Sequence, residues 1–209
     1  MRAFVALIPP DAALAELADV VSPLREAHSA LRWTPAEQWH LTVAFLGEID
    51  EAVLPDLTAR LARAARRNPP MRLAFGTGGR FGDRVLWTRV RAAPDGHPPA
   101  PPESPVSTGR VSHLDRRIDR VDAVRRLAAS VRAAARRSGI AVDDRPYRPH
   151  LTLARGRPGN DLRPAVGALA GFVGSPWTAD ALHLVRSRLG AGAGGTALHE
   201  IVETWPLGR

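Results

Sequence analysis

Two short segments of this 209-residue chain repeat one arrangement of reactive side chains, His40-Leu41-Thr42 and His150-Leu151-Thr152. With seven His and ten Thr in the chain, random order yields about 0.3 His-x-Thr triplets. Two are present, both with Leu in the middle. Each sits in an alternating run, WHLTVAFL from Trp39 and PHLTLAR from Pro149, that predicts a strand. Alternate side chains of a strand share a face. His and Thr therefore point one way, while Leu41, Val43 and Phe45, or Leu151 and Leu153, enter apolar packing. Two such faces meeting across a cleft set two imidazoles around one small anion. Imidazole titrates near 6.5, so at neutral pH one ring can accept a proton while the other gives one. That is acid–base chemistry suited to phosphorus, with a base for the attacking water or hydroxyl and an acid for the departing oxygen. The Thr hydroxyls would donate to the non-bridging oxygens, where charge grows. His-x-Thr lacks the carboxylate and His spacing of zinc or two-metal sites, so neither a metal nor a cofactor is expected.

The elements that must position these residues follow from local pattern. Arg2–Ile8 reads as a buried strand, and Asp11–Glu26 as a helix that Pro23 should end or kink. Glu51–Arg67 is an amphipathic helix, with Val53, Leu54, Leu57 and Leu61 on one stripe. Met71–Phe75 and Val85–Arg91 read as strands around a glycine-rich hairpin turn, Gly76–Gly82, which no Lys-Ser/Thr follows as a nucleotide loop requires. Ala92–Arg117 is proline-rich and aperiodic, and is expected to be an exposed, mobile insertion. Ile118–Ser138 resumes as a helix stopped by Gly139, Asp161–Ala170 is a short helix, and Ala181–Arg188 and Leu198–Thr204 are the last strands. Each His-Leu-Thr follows a strand and then a helix, and each precedes another strand at nearly equal spacing. The chain is thus expected to be one α+β domain over residues 1–209. Its two pseudo-symmetric lobes of antiparallel strands, with flanking helices, would surround a central cleft.

Composition bounds the rest. The net charge is +8, and every basic residue is Arg, whose planar fork holds phosphate bidentately. No apolar run is long enough to span a bilayer, and cysteine is absent, which removes disulfides, thiolate metal sites and cysteine nucleophiles. A cytoplasmic monomer is expected, with no membrane association. Phe4, Trp87 and Tyr147 are the aromatic candidates for stacking on a nucleobase, with Phe4 and Trp87 better suited to the core and Tyr147 open. His28, His97, His113, His183 and His199 lack the motif and read as ordinary structural or surface residues.

At RAFVALIPP, WHLTVAFLGE, the glycine-rich turn before VLWTRV, and RPYRPHLTLAR, the chain resembles the 2H phosphoesterases. Within them it is similar to the bacterial RNA 2′,3′-cyclic phosphodiesterases, also called 2′-5′ RNA ligases. The resemblance implies a two-lobed fold and hydrolysis of a 2′,3′-cyclic phosphate, on RNA or a nucleotide, to a 2′-phosphomonoester. It implies His40 as proton donor to the leaving 3′ oxygen and His150 as proton acceptor from water. Thr42 and Thr152 would hold the phosphate. It also implies a phosphate contact at Arg155, although strict alternation sets that residue on the face opposite His150. Ligation by the same site run backwards, joining a cyclic end to a 5′-hydroxyl, is the second reading. A non-catalytic RNA or nucleotide binder is the third.

Overall fold

The two His-Leu-Thr segments lie side by side. A computed structural model of the chain describes residues 1–93, 112–192 and 195–208, with backbone alone for 112–122. Strands β3 (Leu41–Glu48) and β6 (His150–Arg155) run antiparallel and register at Leu41 and Leu151. These are the middle residues of the two triplets, so a local two-fold passes between them. Outward from β3 come β1 (Arg2–Leu7), β8 (Ala181–Arg188) and β9 (Leu198–Pro206). Outward from β6 come β5 (Val85–Ala92), β4 (Met71–Phe81) and β7 (Trp177–Ala179), and β2 (Arg32–Trp33) pairs with the end of β6. Every pairing is antiparallel. The fold is α+β, with two lobes of equivalent strand order joined into one curled sheet. The halves register at a single pair, whereas β1 and β3 pair along their whole lengths. Beyond the axis the halves splay apart, and the gap between them is a cleft.

The opposite face of the sheet holds the core. Helix α1 (Asp11–Ala27) buries Ala13, Leu17, Val21 and Leu24, one stripe at helical spacing. Helix α2 (Leu54–Arg66) buries Leu57, Leu61, Ala64 and Ala65, and α3 (Ser112–Arg137) buries Val124, Leu127, Ala128 and Val131. All of these but Ala64 form one cluster with Val5, Leu7, Leu41, Val43, Leu151 and Leu153 of the central strands, to which the short α4 (Arg163–Ala168) adds Ala165. Burying each large apolar side chain there stabilises by roughly 1.5–3 kcal/mol. The central strands are thereby held with their other face free for chemistry.

Several elements differ from the local pattern for physical reasons. Helix α1 continues through Pro23 to Ala27. An interior proline costs about 3 kcal/mol, but Pro23 is exposed, and the buried stripe ending at Leu24 outweighs it. The glycine-rich segment is strand rather than turn: β4 runs to Phe81, and the reversal comes at Gly82, whose φ is +56°. A Cβ on Gly79 would lie 2.1 Å from the Trp87 ring, and one on Gly78 would lie 2.7 Å from Leu169, so these glycines make room for neighbours. Strands β2 and β7 have two and three residues, too few to carry a period. Of the segment Ala92–Arg117, Ala92 belongs to β5 and residues 112–117 to α3, while 94–111 lie outside the described residues.

Candidate active site

Alternation sends Leu41 and Leu151 into the core and turns His40, Thr42, His150 and Thr152 toward one cleft of about 550 Å³. The two-fold sets His40 across from Thr152 and Thr42 across from His150. The two imidazoles therefore occupy a diagonal across the axis, and both line the one cleft. Each ring is fixed in the same way. His40 Nδ1 donates to the Gln38 carbonyl at 2.7 Å, and His150 Nδ1 donates to the Arg148 carbonyl at 2.6 Å. With Nδ1–H so engaged, Nε2 is the nitrogen left for chemistry on both rings. Burial pushes the His40 pKa down to about 4, against the Gln38 carbonyl, which raises it; His199, His150 and Arg155 lower it further. Burial lowers that of His150 too, with Arg155 adding to the effect.

A matched pair of β-bulges decides what else faces the cleft. In β6, Thr152 pairs with Trp87 and Ala154 with Leu86, leaving Leu153 as an extra residue. Leu153 and Ala154 are both buried in succession, and the alternation resumes one residue late. Arg155 thereby joins His150 and Thr152 along the cleft, which removes the conflict with strict alternation. In β3 the matching extra residue is Val43, since Thr42 pairs with Ala6 and Ala44 with Val5, and a second shift leaves Leu46 extra further along. The equivalent of Arg155 is then Phe45, which lines the cleft at 46% exposure instead of packing in the core. The Arg2 guanidinium lies over its ring at 4.7 Å. The two-fold relates the backbones of these residues while their side chains differ, an arginine in one lobe and a phenylalanine in the other.

The three aromatic candidates divide. Phe4 stacks on His40 with ring centroids 4.5 Å apart and is only 4% exposed. It backs the histidine and offers no free face to a base. Trp87, opposite Thr152, packs on Phe81 at 5.3 Å and stands 6.0 Å from His150, while Phe81 meets the His150 ring edge-on at 4.9 Å. Tyr147 is outside the cleft lining, contrary to a stacking role. Its hydroxyl donates to the Thr42 carbonyl at 2.9 Å, and Arg132 covers its ring at 5.6 Å. It supports the backbone of the first triplet from behind.

A family model described as the 2′-5′ RNA ligase superfamily matches residues 9–191, a span that includes both triplets. The chain belongs to the 2′-5′ RNA ligase superfamily. Similar proteins in this superfamily include the RNA 2′,3′-cyclic phosphodiesterase of Bacillus subtilis (strain 168). It is 31% identical over 134 residues, which are 64% of this chain and 60% of that relative. The chain thus spans about 60% of the length of this relative. The RNA 2′,3′-cyclic phosphodiesterase of Thermus thermophilus is 29% identical over 202 residues, 90% of this chain and 83% of the relative. Among solved structures, TT0787 of Thermus thermophilus superposes with a TM-score of 0.68 at 28% identity over all of both chains. Escherichia coli LigT complexed with 3′-AMP shares the fold, with a TM-score of 0.65 at 22% identity over all of this chain and 98% of that one.

Four described cleft residues of this superfamily member, Gly195, Thr196, Ala197 and His199, lie beyond the C-terminal end of the matched span, and one of them carries a titratable ring. His199, on β9, lines the same cleft. Its ring meets His40 and Phe4 edge-on, each at 5.0 Å. No local pattern marks it, because curvature of the sheet brings it there. His183, the other strand histidine without a following Thr, pairs instead with Thr204 Oγ1 at 2.9 Å.

Proposed function

We propose that this chain hydrolyses a terminal 2′,3′-cyclic phosphate, on RNA or a nucleotide, to a 2′-phosphomonoester. His150 Nε2 takes a proton from water as the water oxygen bonds to phosphorus. The P–O3′ bond breaks, and O3′ receives its proton from His40 Nε2. Each turnover moves one proton from His40 to His150, and exchange with solvent resets the pair. Thr42 and Thr152 donate to the non-bridging oxygens, and Arg155 balances their negative charge. Burial holds the His40 pKa down in the free protein; a phosphodiester anion beside it raises that pKa, and the ring then takes its proton from solvent. The observation that carries this reading is the pair of Nδ1-anchored imidazoles, related by a two-fold, in one cleft.

A cytoplasmic monomer is part of the same proposal. The superfamily's name favours ligation as a second reading, and the same proton transfers run in reverse would join a cyclic end to a 5′-hydroxyl. The test is a panel of 2′,3′-cyclic nucleotides and cyclic-ended oligonucleotides, with and without EDTA, followed by phosphorus NMR. The expected product is the 2′-phosphate at unchanged rate in EDTA. A 3′-phosphate, a metal requirement, or binding without turnover would overturn it, and 2′-5′ joined product would establish the ligase direction.

A further inference from the structure

Strand β9 is three steps from β3 in the sheet, about 14 Å in a flat arrangement. Yet the ring of His199 lies 5.0 Å from that of His40, which immediately precedes β3. The sheet curls far enough to bring its edge strand over the site. Three rings then enclose one another: Phe4 stacked on His40 at 4.5 Å and 23°, and His199 edge-on to both at 77° and 82°. His199 Nδ1 is buried with no hydrogen-bond partner among the described residues. A histidine placed for fold alone is expected to pair its nitrogen, as His183 does on the neighbouring strand. Phenylalanine or leucine would fill the same space without burying an unpaired nitrogen.

We propose that His199 is a positioning residue for His40, closing a three-ring cage that aims its Nε2 into the cleft and coupling its protonation to a second imidazole. This rests on the proton-donor role of His40. Other charged and titratable groups around His40 are His150 and Arg155, both on β6. Around His199 they are Arg155 and His40, with Ser187 opposite it on β8. Glu200, next in the chain, is held by Arg186 at 3.2 Å and Arg188 at 3.1 Å. When His199 is protonated, its charge opposes the proton that His40 must carry. When it is neutral, the ring supports His40 without that penalty. Activity is thereby tied to the state of a ring that does not touch the phosphorus.

The experiment compares His199→Ala, His199→Phe and His199→Gln with wild type, using a 2′,3′-cyclic nucleotide for kinetics and NMR titration of the His40 ring without substrate. His199→Ala opens the cage, and kcat is expected to fall by about tenfold or more with KM within about twofold, as lost orientation requires. His199→Phe keeps the edge contact, so most of kcat returns, while His40 titrates at higher pH than in wild type because the neighbouring charge is gone. Should His199→Ala fail to fold, His199→Phe and His199→Gln still read the coupling. An unchanged His40 titration in the variants, kcat within about twofold in His199→Ala, or a change confined to KM would overturn the proposal. So would rescue by Gln and not by Phe, which would mark a hydrogen bond to substrate. His183→Ala is expected to leave kcat and the titration unchanged. A His40→Ala variant of full activity would sink the donor reading itself, whereas the NMR titration tests the coupling regardless.

Discussion

At His40 the ring is enclosed by Phe4 and His199, and burial pushes its pKa down to about 4. The unfolded chain titrates there near 6.5 and so binds more protons between those two values. Stability that is fully present above pH 6.5 is therefore lost as pH falls toward 4. The loss from this one ring is on the order of 3 kcal/mol. His150 and His199, also lowered, act in the same direction. The expected outcome is a Tm that drops between pH 7 and pH 4, with a smaller drop in His40→Gln. Parallel drops in the two proteins would mean that His40 is not held neutral by the fold. The same shift bears on activity, since an anion in the cleft beside this half-buried ring raises its pKa and favours the protonated donor. Both motif histidines and their threonines were legible in the sequence because a strand's alternation is local. His199 was not, because it reaches His40 only through the curl of the sheet.

Among the elements, the bulges at Val43 and Leu153 set the chemistry of each lobe. Bulges are invisible to a single strand's pattern, since they exist only in register with a partner. That is why local alternation alone misplaces Arg155 and buries Phe45. The glycine-rich segment reads as a turn for a similar reason. Gly78 and Gly79 are there for what lies against them, and that is a matter of packing across strands. Gly79 lets Trp87 lie close over the backbone, and Trp87 and Phe81 in turn flank His150. Gly79→Ala is expected to displace the indole, to destabilise by about 1–3 kcal/mol, and to lower turnover through His150. Urea unfolding followed by tryptophan fluorescence, together with steady-state kinetics, checks both effects. Wild-type stability with wild-type turnover would show that Trp87 gives the second histidine no support.

Over the whole molecule, the repeat of strand, helix and His-Leu-Thr foretold two lobes, and each lobe contributes one motif imidazole. The two-fold through Leu41 and Leu151 makes the backbones equivalent, while Arg155 in one lobe and Phe45 in the other make the cleft directional. A chain with a net charge of +8 adds a field that draws phosphate toward it. If the two histidines form one proton-transfer unit across the axis, losing either should disable the unit as a whole. The most direct measurement is single-turnover hydrolysis of a 2′,3′-cyclic nucleotide by His40→Ala, His150→Ala and the double variant, each shown by circular dichroism to be folded. Each single variant should be slower than wild type by about 10²–10⁴-fold, and the double variant no slower than the worse single one. Turnover within about tenfold of wild type in either single variant, or penalties that multiply in the double, would contradict paired catalysis.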